Sequence, residues 1–361
     1  MRRGKESGAT RLGVCFPTRF RVLYTNPVSI FGLADTPQQA RVVLIPVPWA
    51  PTSPGHDSAR APLAIVHASR MVDLYDVHTG RPHEVGIAML DADPDVVGWN
   101  AEACAAAGPI LVLARGKSEL AAEVARVNEL SASVNARVAE SARAWIAAGK
   151  IVGVVGGDHA ASFGAIQAHA ERWPGLGILH FGAHADLRPA DRGFVDSHAS
   201  SMHNVVTRLP DVTRIVQVGL RDLSEEEQQL IRGANGRLVA FYDSDIARRL
   251  FDGETFSSIA GTIVESLPQS VYVSFVIDGL DPTLCPHTLR PVPGGLSFQQ
   301  AVAILGRVAE SGRTIVGFDL VDVVPGPDGD DWDESVGARI LHKLIGFALR
   351  ADPSLTEKKF T

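Results

Sequence analysis

Three cysteines, four methionines and 6% aromatic residues are a small allotment for a chain of 361 residues. Cys15, Cys104 and Cys285 are odd in number and far apart, which argues against a disulfide framework and fits reduced thiols in a cytoplasmic protein. No apolar stretch of about 18 residues occurs, so nothing is built to span a bilayer. Basic residues are outnumbered, 34 Lys and Arg against 41 Asp and Glu, and the net charge of −7 comes without a Lys/Arg cluster. General nucleic-acid binding is thereby excluded. Also missing are Gly-x-Ser-x-Gly, a phosphate-binding glycine loop and Cys-x-x-Cys, and with them three common routes to catalysis. The start, Met1-Arg2-Arg3-Gly4-Lys5, has no continuous apolar core behind it and no clear cleavage site, so no signal peptide is expected. Residues 1–35 read as a loosely held arm ahead of one domain over 36–361.

What is present is ordinary for a soluble globular protein, with 45% hydrophobic and 21% charged residues and enough length for a substantial core. Short Val/Ile-rich runs bounded by Gly, Pro or Asp predict strands at Val42–Val47, Ile151–Val155, Gly177–Phe181, Arg214–Val218, Arg237–Tyr242, Val271–Ile277 and Thr314–Val321. Between them, helices are expected at Ser118–Ala148, Ser162–Arg172, Ser224–Arg232, Glu254–Leu267, Ser297–Ala309 and Glu334–Leu349. The alternation predicts an α/β fold, a single three-layer domain with a mostly parallel sheet covered by helices on both faces. Pro325–Asp333 reads as a surface loop within it.

Three polar segments fall at the carboxyl ends of predicted strands, where open α/β sheets collect ligands. Gly156-Gly157-Asp158-His159 follows one strand, and its double glycine permits a sharp turn that presents His159 to a crevice. His180-Phe181-Gly182-Ala183-His184-Ala185-Asp186 follows the next, and residues 182, 184 and 186 project to one side of extended backbone. In Ser274-Phe275-Val276-Ile277-Asp278-Gly279-Leu280-Asp281-Pro282, residues 274, 276 and 278 share a face. Any one segment alone would be read as a capping or core hydrogen-bonding arrangement; three at strand ends converge on a site.

These segments resemble the three metal-binding segments of the arginase/agmatinase (ureohydrolase) family. The family pattern would be Asp-Ala-His-Ala-Asp where this chain reads Gly182 to Asp186, and Ser-Phe-Asp-Ile-Asp where it reads Ser274 to Asp278. The resemblance implies two Mn²⁺ ions held by two His and four Asp. Carried over by position, His159 and Asp186 match the outer ligands of one ion, and His184 and Asp278 those of the other. The bridging carboxylates fall on Gly182 and Val276, where there are none. Val47-Pro48-Trp49, Gly55-His56-Asp57, Ala61 to Ile65 and Val72 to Asp76 are similar to the agmatinase entry region, and Asp281-Pro282 and Gly294-Gly295 to turns at the rim. Ser197-His198-Ala199-Ser200 resembles a loop that places a His near substrate, and Asp322 falls where the family has a Glu meeting the guanidinium. The plainer readings are a surface histidine and a loop-start aspartate. Trimers or hexamers are common in the family, which implies a homo-oligomer.

Charge then limits the metal count. Two dications ~3.5 Å apart repel by roughly 20 kcal/mol at an effective dielectric of about 20, and two carboxylates balance only one of them. The surviving N₂O₂ set suits at most one divalent ion (Mn²⁺, Zn²⁺ or Ni²⁺), or none. Two functions follow: hydrolysis of a C–N bond in a guanidino-type small molecule, with His198 and Asp322 at the substrate, or a non-catalytic binding or regulatory subunit on the same scaffold. Cys285 reads as a buried inert thiol.

Overall fold

Eight strands form one sheet in the computed structural model, which describes residues 29–53, 57–113, 120–327 and 329–355. They are β1 (Val42–Val47), β2 (Ile87–Met89), β3 (Ile151–Gly156), β4 (Leu176–Phe181), β5 (Val212–Leu220), β6 (Leu238–Tyr242), β7 (Ser270–Val276) and β8 (Thr314–Val321). Their order is β2-β1-β3-β8-β7-β4-β5-β6, and every pairing is parallel. A sheet buried on both faces needs apolar side chains on both, which is why its strands read as continuous Val/Ile runs with no alternation.

The helices are α1 (Ala61–Ser69), α2 (Pro94–Leu113), α3 (Ala121–Ala147), α4 (Phe163–Arg172), α5 (Ser201–Arg208), α6 (Glu225–Gly233), α7 (Asp243–Phe251), α8 (Phe256–Glu265), α9 (Phe298–Glu310) and α10 (Trp332–Arg350). One face of the sheet packs against α1 and α7–α10 through Leu44, Leu179, Val273 and Phe318. The other packs against α2–α6 through Val152, Val154, Ile178 and Tyr272. The three-layer architecture is as expected. Capping boxes, Ser224 with Glu227 and Ser297 with Gln300, fix the starts of α6 and α9.

Five elements lie outside what periodicity predicts: β2, α1, α2, α5 and α7. Strand β2 is three residues long, too short to alternate. Helix α2 carries Gly98, Gly108 and Pro109 and has no marked apolar face, so a breaker pattern hides it. The other three run only eight or nine residues. Of the expected N-terminal arm, residues 1–28 lie outside the described residues, but residues 29–35 do not hang loose. Ile30 and Phe31 are buried, and the Phe31 N–H donates to Ser69 Oγ at 2.8 Å. Gly55 and His56 of the expected entry region also lie outside the described residues. No helix among the described residues is long and apolar enough to cross a membrane.

The central strands position the site. Strand β3 neighbours β8 and not β4, so the chain must step over two strands between them, and their carboxyl ends leave a crevice. A row of polar side chains crosses the sheet one step below it. Gln217 on β5 pairs with His180 on β4, His180 with Ser274 on β7, and Ser274 with Asp319 on β8; all four are fully buried.

Candidate metal centre and ligand pocket

The loop after β3 is pinned before it presents anything. A Cβ at Gly157 would lie 2.3 Å from the Trp49 carbonyl oxygen, so only glycine permits this approach to the end of β1. Asp158 caps the following turn, accepting from Ala160 N–H at 3.0 Å and from Ser53 Oγ at 2.7 Å. His159, fully buried, then points across the crevice.

Its hydrogen bonds place a proton on each ring nitrogen. Ser274 Oγ donates to Asp319 Oδ1 at 3.0 Å, so it accepts from His159 Nε2, also at 3.0 Å. The other ring nitrogen, Nδ1, faces Asp186 Oδ2 at 2.6 Å. A metal-ligating histidine is commonly held this way, one nitrogen tied to the protein and the other aimed at the site. Burial works against ionisation of both partners, but the contact outweighs it, raising the His159 pKa and holding Asp186 down at about 2.

His184 pairs separately. Its Nδ1 lies 2.7 Å from Asp278 Oδ2, while Asp278 Oδ1 accepts from the Ala183 N–H at 3.0 Å. Its Nε2 has only Asp222, at 3.5 Å. The four expected ligands thus stand as two His–Asp pairs, each an ion pair in its own right.

One group of three potential ligands forms among the described residues, and it contains a residue not expected from the sequence. His159, His180 and Asp186 each place a ligand atom within 4.8 Å of the others. The rings of His159 and His180 stack, centroids 5.1 Å apart and planes 19° from parallel. A signal for His180 was available: it precedes Gly182, His184 and Asp186 in the same two-residue register. Its hydrogen bonding, however, makes it a donor. The Gln217 amide nitrogen donates to the Ala185 carbonyl at 2.8 Å, which fixes the amide's orientation, and it also donates to His180 Nδ1 at 2.9 Å. Burial first, then the charge of His159, lowers the His180 pKa to about 3, so the ring is neutral with its proton on Nε2. That Nε2 is buried with no hydrogen-bond partner among the described residues and lies 2.9 Å from where a Cβ on Gly182 would sit.

Val276 lines the pocket in front of these pairs, together with His184, Asp186, Asp278, His198 and Asp322. His198 is held by Thr52, whose Oγ1 lies 3.0 Å from its Nδ1 and accepts from its backbone N–H at 3.2 Å. Asp322 donates its N–H to the Gly157 carbonyl at 2.7 Å and accepts at its own carbonyl from Thr288 Oγ1 at 3.0 Å. Its side-chain Oδ1 is buried with no partner among the described residues. Burial, then the charges of Asp158, Asp278 and Asp186, pushes its pKa well above the usual carboxylate range. Asp186 and Asp322 both adopt left-handed backbone, φ 52° and 62°, a strained conformation for non-glycine residues that concentrates at functional sites. Cys285 is buried, donates to the Ile277 carbonyl at 3.3 Å, and has its thiol pKa raised by that burial; it is no nucleophile.

A sequence profile of the Arginase family matches residues 40–346. The chain belongs to that family. It is 32% identical over 322 residues to N(1)-aminopropylagmatine ureohydrolase of Thermus thermophilus, covering 88% of this chain and 94% of that protein. It is 34% identical over 174 residues to proclavaminate amidinohydrolase of Streptomyces clavuligerus, covering 48% of this chain and 53% of that protein. In fold it matches the agmatine ureohydrolase of Thermoplasma volcanium, with a TM-score of 0.69 at 20% identity, covering 91% of this chain and 96% of the other.

Proposed function

We propose that this arginase-family protein binds a guanidino-type small molecule in the pocket and hydrolyses its C–N bond at a reduced centre holding at most one divalent ion. One observation carries the ligand class: Asp322, a buried carboxylate with an unpartnered oxygen, stands in a pocket with Asp186 and Asp278. Burial and the charges of its acidic neighbours push the Asp322 pKa up, and a guanidinium would relieve it while supplying planar donors.

Two metal ions do not fit, since positions 182 and 276 offer no bridging oxygen. One ion fits the deeper pair. His159 and Asp186 would hold it, backed by Ser274 and Asp319, with water or ligand completing the coordination. His180 adds no lone pair while Gln217 donates to its Nδ1. When bound, a divalent ion would supply acidity to water, making hydroxide available near neutral pH.

The remaining work falls to side chains. Asp322 orients the guanidinium. Hydrolysis adds water at the guanidino carbon and releases urea and an amine, and that amine must take up a proton. His198 stands at the pocket with Nδ1 engaged by Thr52, and burial lowers its pKa, so it is neutral at pH 7 and able to accept and return a proton. His184 lines the same pocket, and its Nε2 makes no hydrogen bond among the described residues, only the 3.5 Å contact to Asp222.

A second reading is favoured by a different observation. Val276 is 2% exposed, and the four expected ligands are paired His to Asp, so their charges balance one another without a metal. That is the form a non-catalytic binding or regulatory subunit would take. The deciding experiment is urea release from agmatine, arginine and 4-guanidinobutyrate with Mn²⁺, Ni²⁺ or Zn²⁺ added, alongside metal content by mass spectrometry. Turnover with bound metal supports the hydrolase; guanidino binding without turnover under any metal supports the subunit. A cytoplasmic homo-oligomer, trimer or hexamer, belongs to the same proposal and is checked by light scattering.

A further inference from the structure

The pocket is charged differently at its two ends. Its buried floor presents Asp186, Asp278 and Asp322. Nearer solvent it is lined by Arg188, half-buried, and Arg290, exposed. Two acids share that outer zone, and the two arginines differ in their partners: Arg188 stands at ion-pair distance from acids, whereas among the described residues Arg290 does not. Glu227 is committed to backbone, Oε1 accepting from Leu187 N–H at 3.0 Å and Oε2 from Ser224 N–H at 2.8 Å, and Arg188 Nε stands 4.0 Å from it. Asp222, its side chain 61% exposed, faces His184. The other acid near Arg188 is Asp191, at 3.8 Å. Arg290 has no ion pair or hydrogen bond among the described residues, and its charge bears on His198 across the pocket.

We propose that Arg290, together with Arg188, selects ligands with an anionic tail: an ω-guanidino carboxylate, seated with its guanidinium on Asp322 and its carboxylate toward the two arginines. This rests on the guanidino reading above and narrows it. A ligand with a cationic tail would satisfy the acidic floor but bring an ammonium beside two guanidinium groups. An arginine fork matches a carboxylate in shape as well as charge. Because the outer zone is solvated, the preference depends on ionic strength.

The test is calorimetric titration of the full chain with 4-guanidinobutyrate, agmatine and plain butyrate, at low and physiological salt. Binding of 4-guanidinobutyrate about tenfold tighter than agmatine is expected, with the gap narrowing as salt rises. Arg188→Gln with Arg290→Gln should weaken 4-guanidinobutyrate about tenfold and leave agmatine unchanged or tighter. The single change Arg290→Gln, at an exposed position, should move both ligands the same way by less, and it serves if the double variant folds poorly. Asp322→Asn should weaken both guanidino compounds alike. Agmatine binding as tightly as 4-guanidinobutyrate, or equal losses for both in the arginine variants, overturns the arginine assignment and leaves the guanidino reading standing. Butyrate binding with neither guanidino compound overturns both.

Discussion

The two histidine–aspartate pairs of the site come from equivalent strand ends, yet their surroundings differ. His159 is fully buried, tied through Ser274 to Asp319 and stacked on His180. His184 has a side chain 20% exposed, one firm partner in Asp278, and a second nitrogen that faces the pocket. The deep pair is backed by a hydrogen-bonded chain of buried side chains. The outer pair has no such chain behind it and meets solvent through the edge of His184. Positions 182 and 276 offer no carboxylate to either half, and of the two pairs only the deep one has buried side chains behind it that fix its histidine.

The sharpest way to break this comparison is to remove one partner from each pair. Asp186→Ala leaves a buried imidazole that can no longer be charged, and should cost about 3–5 kcal/mol. His184→Ala, at the more solvated pair, should cost about 1–2 kcal/mol. Urea denaturation measures both, and equal costs would show the two halves to be equivalent. With Mn²⁺ added, the same contrast should appear in metal content, which Ser274→Ala lowers about 10- to 100-fold in affinity by freeing the His159 ring.

Next in size is the space beside Gly182. Gly182→Asp must displace the His180 ring, whose Nε2 lies 2.9 Å from the new Cβ, and should destabilise by about 1–3 kcal/mol. His180→Ala in the same chain should recover part of that, and the double-mutant cycle should show a coupling of about 1 kcal/mol or more. Gly182→Asp with Val276→Asp alone is accordingly expected not to restore a two-metal centre. Additive effects in the cycle would mean that Gly182 and His180 do not share the space.

The frame of this site was legible in the chain, and its wiring was not. Val/Ile runs broken by glycine marked seven of eight strands because a doubly buried parallel sheet demands them, and the three polar segments fell at strand ends as the fold requires. Elements without a strong period escaped, α2 through its glycines and proline and β2 through its length. At the site, the facing of residues 182, 184 and 186 followed from the two-residue repeat. That repeat also contains His180, but its role depends on Gln217, which lies 37 residues away and touches it through sheet register. The pairing of His159 with Asp186 and of His184 with Asp278, in place of a common cage, is likewise set by distances between strand ends that no spacing in the chain encodes.

Asp322 offers a test of the pocket they share. Asp322→Asn removes a buried carboxyl whose ionisation burial and three neighbouring acids oppose, so stability should hold or rise slightly. Affinity for 4-guanidinobutyrate and agmatine should fall about tenfold, a loss near 1.4 kcal/mol. Unchanged binding in calorimetry would place the guanidinium elsewhere.

The smallest expected effect near neutrality is the response to pH, and it separates His180 from both pairs. His159 and His184 resist burial through their carboxylates, so their folded pKa values lie above the ordinary 6.5. The stability each gives is fully present below pH 6.5 and is lost as pH rises through the raised value. His180 runs the other way. With a folded pKa of about 3, it stays neutral while the unfolded chain takes up a proton below pH 6.5. Its contribution is therefore present above pH 6.5 and lost as pH falls toward 3. Between pH 6 and 8 the sum should change stability by on the order of 1 kcal/mol or less. Histidine ring NMR resolves the parts: His159 and His184 should titrate above pH 6.5, whereas His180 should keep its Nε2 proton and show no step down to the acid limit of the fold. A His180 that titrates near 6.5, or carries its proton on Nδ1, would undo the donor assignment and return it to the deep pair as a third metal ligand.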